Sequence, residues 1–400
     1  MDIRPLRPDD NLEDDLDLAR RSFGPFDDAG RTRRLAEAEA GIAGGRYYGV
    51  FDGPRLLAVA GFHDLRQWWH GRPVRMAGVG GVRVAPEARG RGIGTALMTE
   101  LLRVIAERGY PLSVLFPATA PVYRSLGWEL AGGYYEVTVP TRSLAALPPA
   151  DIPAGPLPVL RRAGPDDADR VVAVVGAVHA SARHCGPATW TAAAARRWWL
   201  DDETVFCYLA PDGFLAYGWH HSHREMYVQR AVAGSAETTR AIWSLLGSHA
   251  SMAERVKAVV APDEPVGWLT REPDVEVERE PWMLRIVDMA AAIAGRGFPA
   301  LAELAVALQI DDAARPGNAG LWTLKVSGGQ GSLHSSVTLP SALVPSAGPV
   351  RLGARGFAAL YAGIPVATLR RSGLAAGGNP DADDALDAAF AGQAFLLDDF

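Results

Sequence analysis

The spacing of apolar residues predicts alternating helices and strands over the first 150 positions. After Pro8, the apolar side chains Leu12, Leu16 and Ala19 recur every three or four residues, which places them on one face of a helix. A D-G-P turn at 52–54 separates two apolar runs and predicts a β-hairpin. The other elements expected in this part are a strand at 2–7, a helix over 31–42, a strand over 74–84, a helix that Gly109 ends, and strands at 112–116 and 134–139.

A proline-rich segment and a repeated order of elements divide the rest of the chain. Residues 147–158 contain five prolines, so we expect them to be extended and exposed. Beyond them, a strand at 225–232, a helix over 237–249 and the strand K-A-V-V repeat the order of 74–115, but without its Gly-rich turn. We therefore predict a first domain over 1–146, a linker over 147–158, a degenerate second copy over 159–284, and a third domain over 285–400.

The third domain carries no catalytic motif in its sequence. Its pattern predicts helices around Ala290 and over 300–308, strands at 320–326 and 332–339, and further helices towards the end. Mixed helices and strands of this kind are typical of an α+β domain.

Composition and charge exclude several classes of protein. The 400 residues include 40 Lys and Arg against 46 Asp and Glu, a net charge of −6, which disfavours nucleic-acid binding because phosphates require a basic surface. Two cysteines in so long a chain are typical of a reducing cytoplasm. The chain begins without the apolar stretch of a secretory signal, and no uncharged apolar run approaches the roughly 18 residues of a membrane span. We expect a cytoplasmic protein with a cationic small-molecule partner.

One motif carries recognisable chemistry. Residues 82–96 read V-R-V-A-P-E-A-R-G-R-G-I-G-T-A, in which a strand ends at Val84 and a helix starts after a run of glycines. Glycines let successive backbone N–H groups converge on an anion, and a helix N-terminus adds partial positive charge there. The spacing fits neither the P-loop nor the dinucleotide-binding fingerprint. The turn is therefore a candidate diphosphate site of another class.

The motif resembles the acyl-CoA signature of the GNAT N-acetyltransferases, R/Q-x-x-G-x-G/A, through Arg89, Gly92 and Gly94. The whole chain resembles the Eis (enhanced intracellular survival) family of actinobacterial GNAT enzymes, also through P-V-Y-R-S-L-G-W at 121–128 and W-M-L-R-I-V at 282–287. The resemblance implies an α/β (α+β) protein with tandem GNAT folds, the first active and the second degenerate, and a sterol-carrier-protein-like third domain. It also implies a hexamer.

The same resemblance implies acetyl-CoA as co-substrate and names the residues that hold it. The strand backbone supplies oxyanion donors, the glycine turn holds the diphosphate, and the segment before the next helix lies beside the pantetheine arm. The expected residues are Val82, Arg83, Val84, Arg89, Gly90, Arg91, Gly92, Ile93, Gly94, Thr95, Ala118 and Thr119.

Acetyl transfer to an amine requires a base for the ammonium and an acid for the thiolate. By resemblance, Tyr123 is the general acid and the terminal carboxylate of Phe400 is the base. The end reads A-F-L-L-D-D-F, so apolar residues could pin the tail and raise the pKa of the carboxylate. Neighbouring Asp398 and Asp399 would raise it further and attract ammonium groups.

The resemblance to GNAT domains also implies an acceptor site after the first helix, where Phe23, Phe26, Asp27 and Asp28 would join Asp399 in binding an amine. The sequence does not identify the physiological amine or its acetylated position. The alternatives are a protein lysine acetyltransferase, and a lipid-binding or apolar-ligand-binding protein whose GNAT domain only senses CoA. Histidines at 220, 221 and 223 could suggest a metal site, but no further ligand is identifiable and we expect no metal.

Overall fold

The computed structural model describes residues 1–152, 155–220, 224–272, 274–335 and 348–400. The strands are β1 (Asp2–Pro5), β2 (Tyr47–Asp52), β3 (Arg55–Trp69), β4 (Arg72–Val84), β5 (Leu112–Leu115), β6 (Glu129–Pro140), β7 (Arg161–Arg162), β8 (Cys185–Ala188), β9 (Phe206–Ala210), β10 (Gly213–Trp219), β11 (Glu225–Ala233), β12 (Arg255–Val260), β13 (Glu276–Ile286), β14 (Leu304–Asp311), β15 (Gly320–Ser327), β16 (Gln330–Ser335), β17 (Val350–Gly353), β18 (Ala375–Ala376) and β19 (Phe395–Leu396). The helices are α1 (Leu12–Phe23), α2 (Asp28–Ala43), α3 (Ile93–Glu107), α4 (Ala120–Ser125), α5 (Thr141–Ala145), α6 (Ala168–Ser181), α7 (Ala192–Ala195), α8 (Ala236–Gly247), α9 (Val266–Leu269), α10 (Met289–Gly295), α11 (Ala354–Tyr361), α12 (Val366–Arg371) and α13 (Pro380–Ala389).

Some predicted features fall outside the described residues. These are His221 and His223 of the histidine cluster, the end of the strand predicted at 332–339, and residues 153–154 of the linker. The rest of the linker is mostly exposed. Within the described ranges, no helix is long and apolar enough to cross a membrane.

The first five strands lie side by side in chain order. The β2–β3 hairpin turns at Gly53, which has a φ of +58°, so the D-G-P turn prediction is confirmed. α3 follows β4 and buries the apolar stripe Leu97, Leu101 and Ile105, as the helical spacing predicted.

Two strands are exchanged between the halves of the chain. β13 lies between β5 and β6, where Met283–Ile286 pairs antiparallel with β5 and Glu276–Leu284 with β6. β6 in turn pairs with β12 of the second copy. One 14-stranded sheet results, in the order β1-β2-β3-β4-β5-β13-β6-β12-β11-β10-β9-β7, with β8 beside β3 and β19 beside β6. The predicted boundary at 284/285 falls inside β13, because the partners of this strand lie far away in the sequence and leave no local signal.

The second half of the sheet repeats the first. β11 and β12 are parallel and α8 connects them, which is the arrangement of β4, α3 and β5. α8 buries Ile242, Trp243 and Leu246 against this half of the sheet. The repeat that the sequence predicted is confirmed.

The third domain contains a separate five-stranded sheet in the order β16-β15-β14-β17-β18, with α10 to α13 around it. The predicted helix over 300–308 is wrong, because β14 occupies most of it as the central strand of this sheet. Its Leu and Ala residues favour a helix, but pairing with strands on both sides overrides that preference. Leu301, which the helix would have buried, is 95% exposed.

Candidate active site

β4 and β5 part from each other at one end. They pair in parallel only over Met76–Gly78 and Leu112–Val114, whereas β4 continues to Val84 against β3. A wedge therefore opens beyond the carboxyl end of β5, where parallel sheets commonly bind ligands.

β4 carries a bulge within this wedge. Its pairing with β3 shifts register between Val59 and Gly61, so that β4 holds one extra residue there. Gly81 has a φ of +63°, in the region that favours glycine. The bulge re-aims the backbone of 82–84 relative to the strand before it.

The side chain of Arg83 lies in the interior and not in the wedge. Its guanidinium forms a buried ion pair with Asp15 and donates a hydrogen bond to the hydroxyl of Tyr47. Arg83 therefore offers a ligand only its backbone, together with the backbones of Val82 and Val84.

The glycine turn between β4 and α3 is open to solvent. Gly90 and Gly92 have φ values of +74° and +75°, and a Cβ built on either would meet nothing within 4 Å. α3 has no acidic residue in its first turn, so the partial positive charge of its N-terminus is not neutralised. These features fit the diphosphate of acetyl-CoA.

The other residues of the motif divide into two groups. Arg89, Arg91 and Thr95 are exposed beside the turn and can contact a ligand through their side chains. Ile93 is buried in the core and Gly94 packs against Val84, so both can contribute only backbone groups.

α4 carries Tyr123 just beyond the end of β5. Ala118 and Thr119, which precede the helix, are exposed. Tyr123 is 5% exposed and its ring lies 6.5 Å from that of Trp128. Burial raises the pKa of its hydroxyl, which therefore keeps its proton at neutral pH.

The last residues of the chain run between the two halves of the sheet. β19 pairs in parallel with Gly133–Tyr134 of β6, and Ala394 forms a bridge with Cys185. Phe395–Leu397 are buried, as the apolar composition of the tail predicted. The tail passes so close to Gly186 that a side chain there would overlap its backbone.

The tail ends in the wedge, against β4. A Cβ built on Gly78 would lie 2.8 Å from the ring of Phe400, and one built on Gly80 would lie 2.9 Å from its terminal carbon. The ring of Phe116 meets that of Phe400 edge-on, with centroids 6.0 Å apart. Phe400 thus fills the gap between β5 and β4, with its carboxyl group beside the strand that carries the bulge.

Comparison with known proteins identifies the family. An acetyltransferase (GNAT) domain matches residues 2–131 and again 186–286, and a sterol carrier protein domain matches 289–397. A GCN5-related N-acetyltransferase structure from Kribbella flavida is 39% identical, with a TM-score of 0.92, and the match covers 100% of this chain and 98% of that one. The N-acetyltransferase Eis of Mycobacterium tuberculosis is 28% identical over 286 residues, 67% of this chain and 69% of that protein.

This chain is an Eis-like GCN5-related N-acetyltransferase. Eis1 of Mycobacterium abscessus shares the fold over 100% of both chains, with a TM-score of 0.79 at 23% identity. The tandem GNAT folds and the sterol-carrier-like third domain that the sequence predicted are confirmed. GNAT acetyltransferases use acetyl-CoA.

Asp398 does not face the acceptor side of this acetyltransferase, contrary to the expectation from the sequence. Its side chain is buried, forms an ion pair with Arg230 and accepts a hydrogen bond of 3.1 Å from Nε1 of Trp190. A carboxylate already paired with a guanidinium attracts no substrate ammonium. Asp398 instead fixes the tail to the second copy, while Asp399 is exposed.

The four residues predicted for the acceptor site lie around the start of α2. Asp27 is the N-cap of α2 and accepts a hydrogen bond of 2.8 Å from a backbone N–H of its first turn, while Asp28 is exposed in that turn. The guanidinium of Arg34 lies 5.8 Å from the ring centroid of Phe23 and 5.0 Å from that of Phe26. The guanidinium of Arg34 therefore already lies near the two rings that were predicted to bind a cationic amine.

His63 is a residue of the site that the sequence did not reveal. It lies on β3, and the centroid of its ring is 6.4 Å from that of Phe400. Burial lowers its pKa, and the nearby cations Arg46 and Arg197 lower it further. A lone histidine in a strand gives no local signal of such a position.

Glu37 and Arg197 were missed for the same reason. Glu37 lies on α2, and burial raises the pKa of its carboxyl group. The positive charge of Arg197 lowers this pKa and the negative charge of Asp399 raises it, so both charges lie near Glu37. Arg197 belongs to a π-helical turn over Arg196–Leu200, a distortion frequent at functional sites. The second copy thus supplies a cation to the site of the first.

The turn of the second copy that corresponds to the glycine turn, at the start of α8, is not open. The N-cap of α8 is Ser235, whose side chain accepts a hydrogen bond from the backbone of Thr238. Glu237 in the first turn accepts a hydrogen bond of 3.0 Å from the linker residue Gly155. A side-chain cap, a negative charge and the linker therefore lie at the start of α8, which corresponds to the open glycine turn of the first copy.

Proposed function

We propose that this acetyltransferase transfers the acetyl group of acetyl-CoA to an amino group of a cationic small molecule, directly and with both substrates bound. The observation that carries the proposal is the seat of Phe400 against Gly78 and Gly80. With Phe400 as the last residue, its α-carboxylate stands at the wedge between β4 and β5. A carboxylate there is suited to accept a proton from an ammonium group.

Acetyl-CoA supplies the acetyl thioester when bound. The open turn over 89–95 is suited to its diphosphate, with Arg89 and Arg91 as flanking cations. The backbone N–H groups of 82–84, beyond the bulge, are suited to stabilise the oxyanion of the tetrahedral state. Ala118 and Thr119 are exposed where the pantetheine arm is expected.

The two proton transfers fall to two residues. The Phe400 carboxylate takes a proton from the acceptor ammonium, and the free amine then attacks the acetyl carbon. The Tyr123 hydroxyl, which burial keeps protonated, donates its proton to the departing thiolate. Two protons leave the nitrogen: the first goes to the Phe400 carboxylate, and the second, lost after the attack, restores the Tyr123 hydroxyl. One proton is given to sulfur, so atoms and charges balance.

A cationic acceptor agrees with the carboxylates around the tail. Asp399 is exposed, and its negative charge helps to raise the pKa of Glu37. We assign Asp399 and Asp28 to amine binding. Phe23 and Phe26 would form an apolar wall that the acceptor shares with the Arg34 guanidinium. Aminoglycosides and polyamines carry several ammonium groups and are the first candidates.

The test is thiol release from acetyl-CoA with a panel of aminoglycosides and polyamines. One variant extends the chain by a single glycine after Phe400, which retains the ring but converts the carboxylate to an amide. The matched control is Phe400→Leu, which retains a terminal carboxylate. We expect the extension to lower kcat about 100-fold or more, the usual contribution of a general base, and the control to lower it much less.

Three other results would decide against parts of the proposal. Full turnover by the extended chain would assign the base elsewhere, and intact mass spectrometry verifies the last residue in each sample. CoA binding without turnover on any amine would favour the binding-protein alternative. Turnover only on lysine side chains of proteins would favour a protein acetyltransferase.

We also propose the hexameric assembly that the family resemblance implies. Light scattering tests it, since a hexamer has six times the 42.6 kDa mass of the chain. A scattering mass of one chain would contradict it.

A further inference from the structure

His63 stands beside the carboxyl end of the tail. Its strand position on β3 is directly opposite Gly78 of β4, whose missing side chain leaves room for the Phe400 ring. Nε2 of His63 lies 4.0 Å from the point where a Cβ on Gly80 would stand, and the terminal carbon of Phe400 lies 2.9 Å from that same point. The imidazole and the carboxyl group therefore both lie beside Gly80 of β4.

The imidazole is free to accept a proton. One edge of His63 is exposed to solvent although protein surrounds most of the residue, which is typical of a side chain in the wall of a cleft. Among the described residues it has no hydrogen-bond partner. The charged groups that face it are Arg46, Arg197 and the Phe400 carboxylate; the two cations and burial favour the neutral ring.

We propose that His63 is a second proton-transfer residue of this site, which takes the proton from Phe400 after each deprotonation of the acceptor and passes it to solvent. The inference rests on the function proposed above. The Phe400 carboxyl O–H bond breaks as a bond forms from that proton to the imidazole, directly or through one water. The imidazolium then loses its proton to solvent, which restores the carboxylate and the neutral ring.

The position of Phe400 explains why such a residue is useful. Phe400 is only partly exposed, and its terminal carbon lies against Gly80 of β4, so the strand covers one side of its carboxyl group. An imidazole can take up a proton and still release it near neutral pH, and the lowering of the His63 pKa by burial, Arg46 and Arg197 favours the release.

The experiment compares His63→Gln and His63→Ala with the wild-type full-length chain. Gln retains the size and polarity of the side chain but cannot be protonated, and Ala leaves space for added imidazole. His334→Gln is the matched control, because His334 is exposed on β16 of the third domain. Steady-state kcat and KM for both substrates are measured from pH 6 to 9, with and without imidazole.

We expect both variants at His63 to lose about tenfold or more in kcat, with KM for acetyl-CoA within twofold of wild type and the control unchanged. We also expect the pH profile of kcat to lose one ionisation, and imidazole to restore part of the activity of His63→Ala only. Wild-type kcat in His63→Gln would overturn the inference. So would an equal loss in both variants with neither rescue nor a changed pH profile, which would indicate a structural role.

The inference and the proposed function fail separately. If the glycine-extended chain is inactive and His63→Gln is normal, the carboxylate base stands and the role of His63 is wrong. If the wild-type chain acetylates no amine, the proposed function itself is wrong.

Discussion

Phe400 packs against β4 at two positions where a glycine leaves room for it. Gly78 and Gly80 are two positions apart on β4, and residues at that spacing point to the same face of a strand. The Phe400 ring occupies the space at Gly78, and its carboxyl group occupies the space at Gly80. Neither glycine has a positive φ, so the contact with Phe400, and not backbone strain, is what excludes a side chain.

Gly80→Ala therefore tests the seat directly. We expect the new methyl group to displace the carboxyl group, because its Cβ would lie 2.9 Å from the terminal carbon. A shift of about 1 Å in a catalytic group can cost about 100-fold in rate, so kcat for amine acetylation should fall on that scale. Thermal unfolding should change little. Gly267→Ala, where a Cβ would meet nothing within 4 Å, is the control, and equal kcat in the two variants would contradict the seat.

Tyr123→Phe removes one hydroxyl from a buried ring. We expect a large loss of kcat, on the order of 100-fold or more, and little change in KM for acetyl-CoA, because the hydroxyl is proposed to protonate the leaving thiolate. Steady-state kinetics at saturating amine measure both constants. An unchanged kcat would show that another group protonates the thiolate.

At the scale of elements, the tail depends on its anchors. β19 has only two residues, too few to stay in place by strand pairing alone. Asp398 ties it to Arg230 and Trp190 of the second copy, one residue after the buried run Phe395–Leu397. The end of the chain is thus positioned by contacts with the second copy.

Arg230→Met leaves the carboxylate of Asp398 buried without its cation. Breaking such a pair costs about 3–5 kcal/mol, so we expect the last residues to detach from the sheet. As a result, kcat should fall and carboxypeptidase should digest the C-terminus. The double variant Arg230→Met with Asp398→Leu should restore much of both properties, because an apolar pair can replace a buried ion pair. A tail that stays protected and active in the single variant would show that the ion pair does not hold it.

The elements that the sequence predicted are those with local signals. The β2–β3 hairpin follows from its turn, and α3 follows from the glycines before it and its apolar stripe. The Leu and Ala residues of β14 favour a helix, and only its neighbours in the sheet make it a strand. The position of β13 in the sheet could not be predicted from its sequence, because its partner strands β5 and β6 belong to the first domain.

The residues of the candidate site also differ in whether a local sequence signal predicts them. The glycine turn, Tyr123 and the apolar tail are visible in sequence because each is a short motif. The ion pair between Asp398 and Arg230 joins residues that are 168 positions apart, and the place of His63 depends on where that tail ends. Such contacts arise from the fold and leave no pattern in the chain.

At the scale of the whole molecule, the exchanged strands make the first two domains one folding unit. β5 and β6 of the first domain have β13 between them, and β12 of the second copy depends on β6. Removing either half exposes strand edges that are normally paired.

A fragment of residues 1–146 should therefore not fold by itself. We expect it to aggregate or to show no cooperative unfolding transition by circular dichroism, because it lacks β13 and β19. Coexpression with a fragment of 147–400 should recover a complex with a cooperative transition. A stable monomeric fragment 1–146 would show that the exchange is dispensable.

The exchange of strands also bears on how such a protein can change over evolutionary time. Shuffling of domains between genes requires modules that fold alone, and here each half completes its sheet with a strand of the other. Deletion of the second copy would therefore also remove β13, the strand that lies between β5 and β6 of the first domain. A duplicated domain can lose its chemistry in this arrangement and still be inherited, because its partner cannot be built without it.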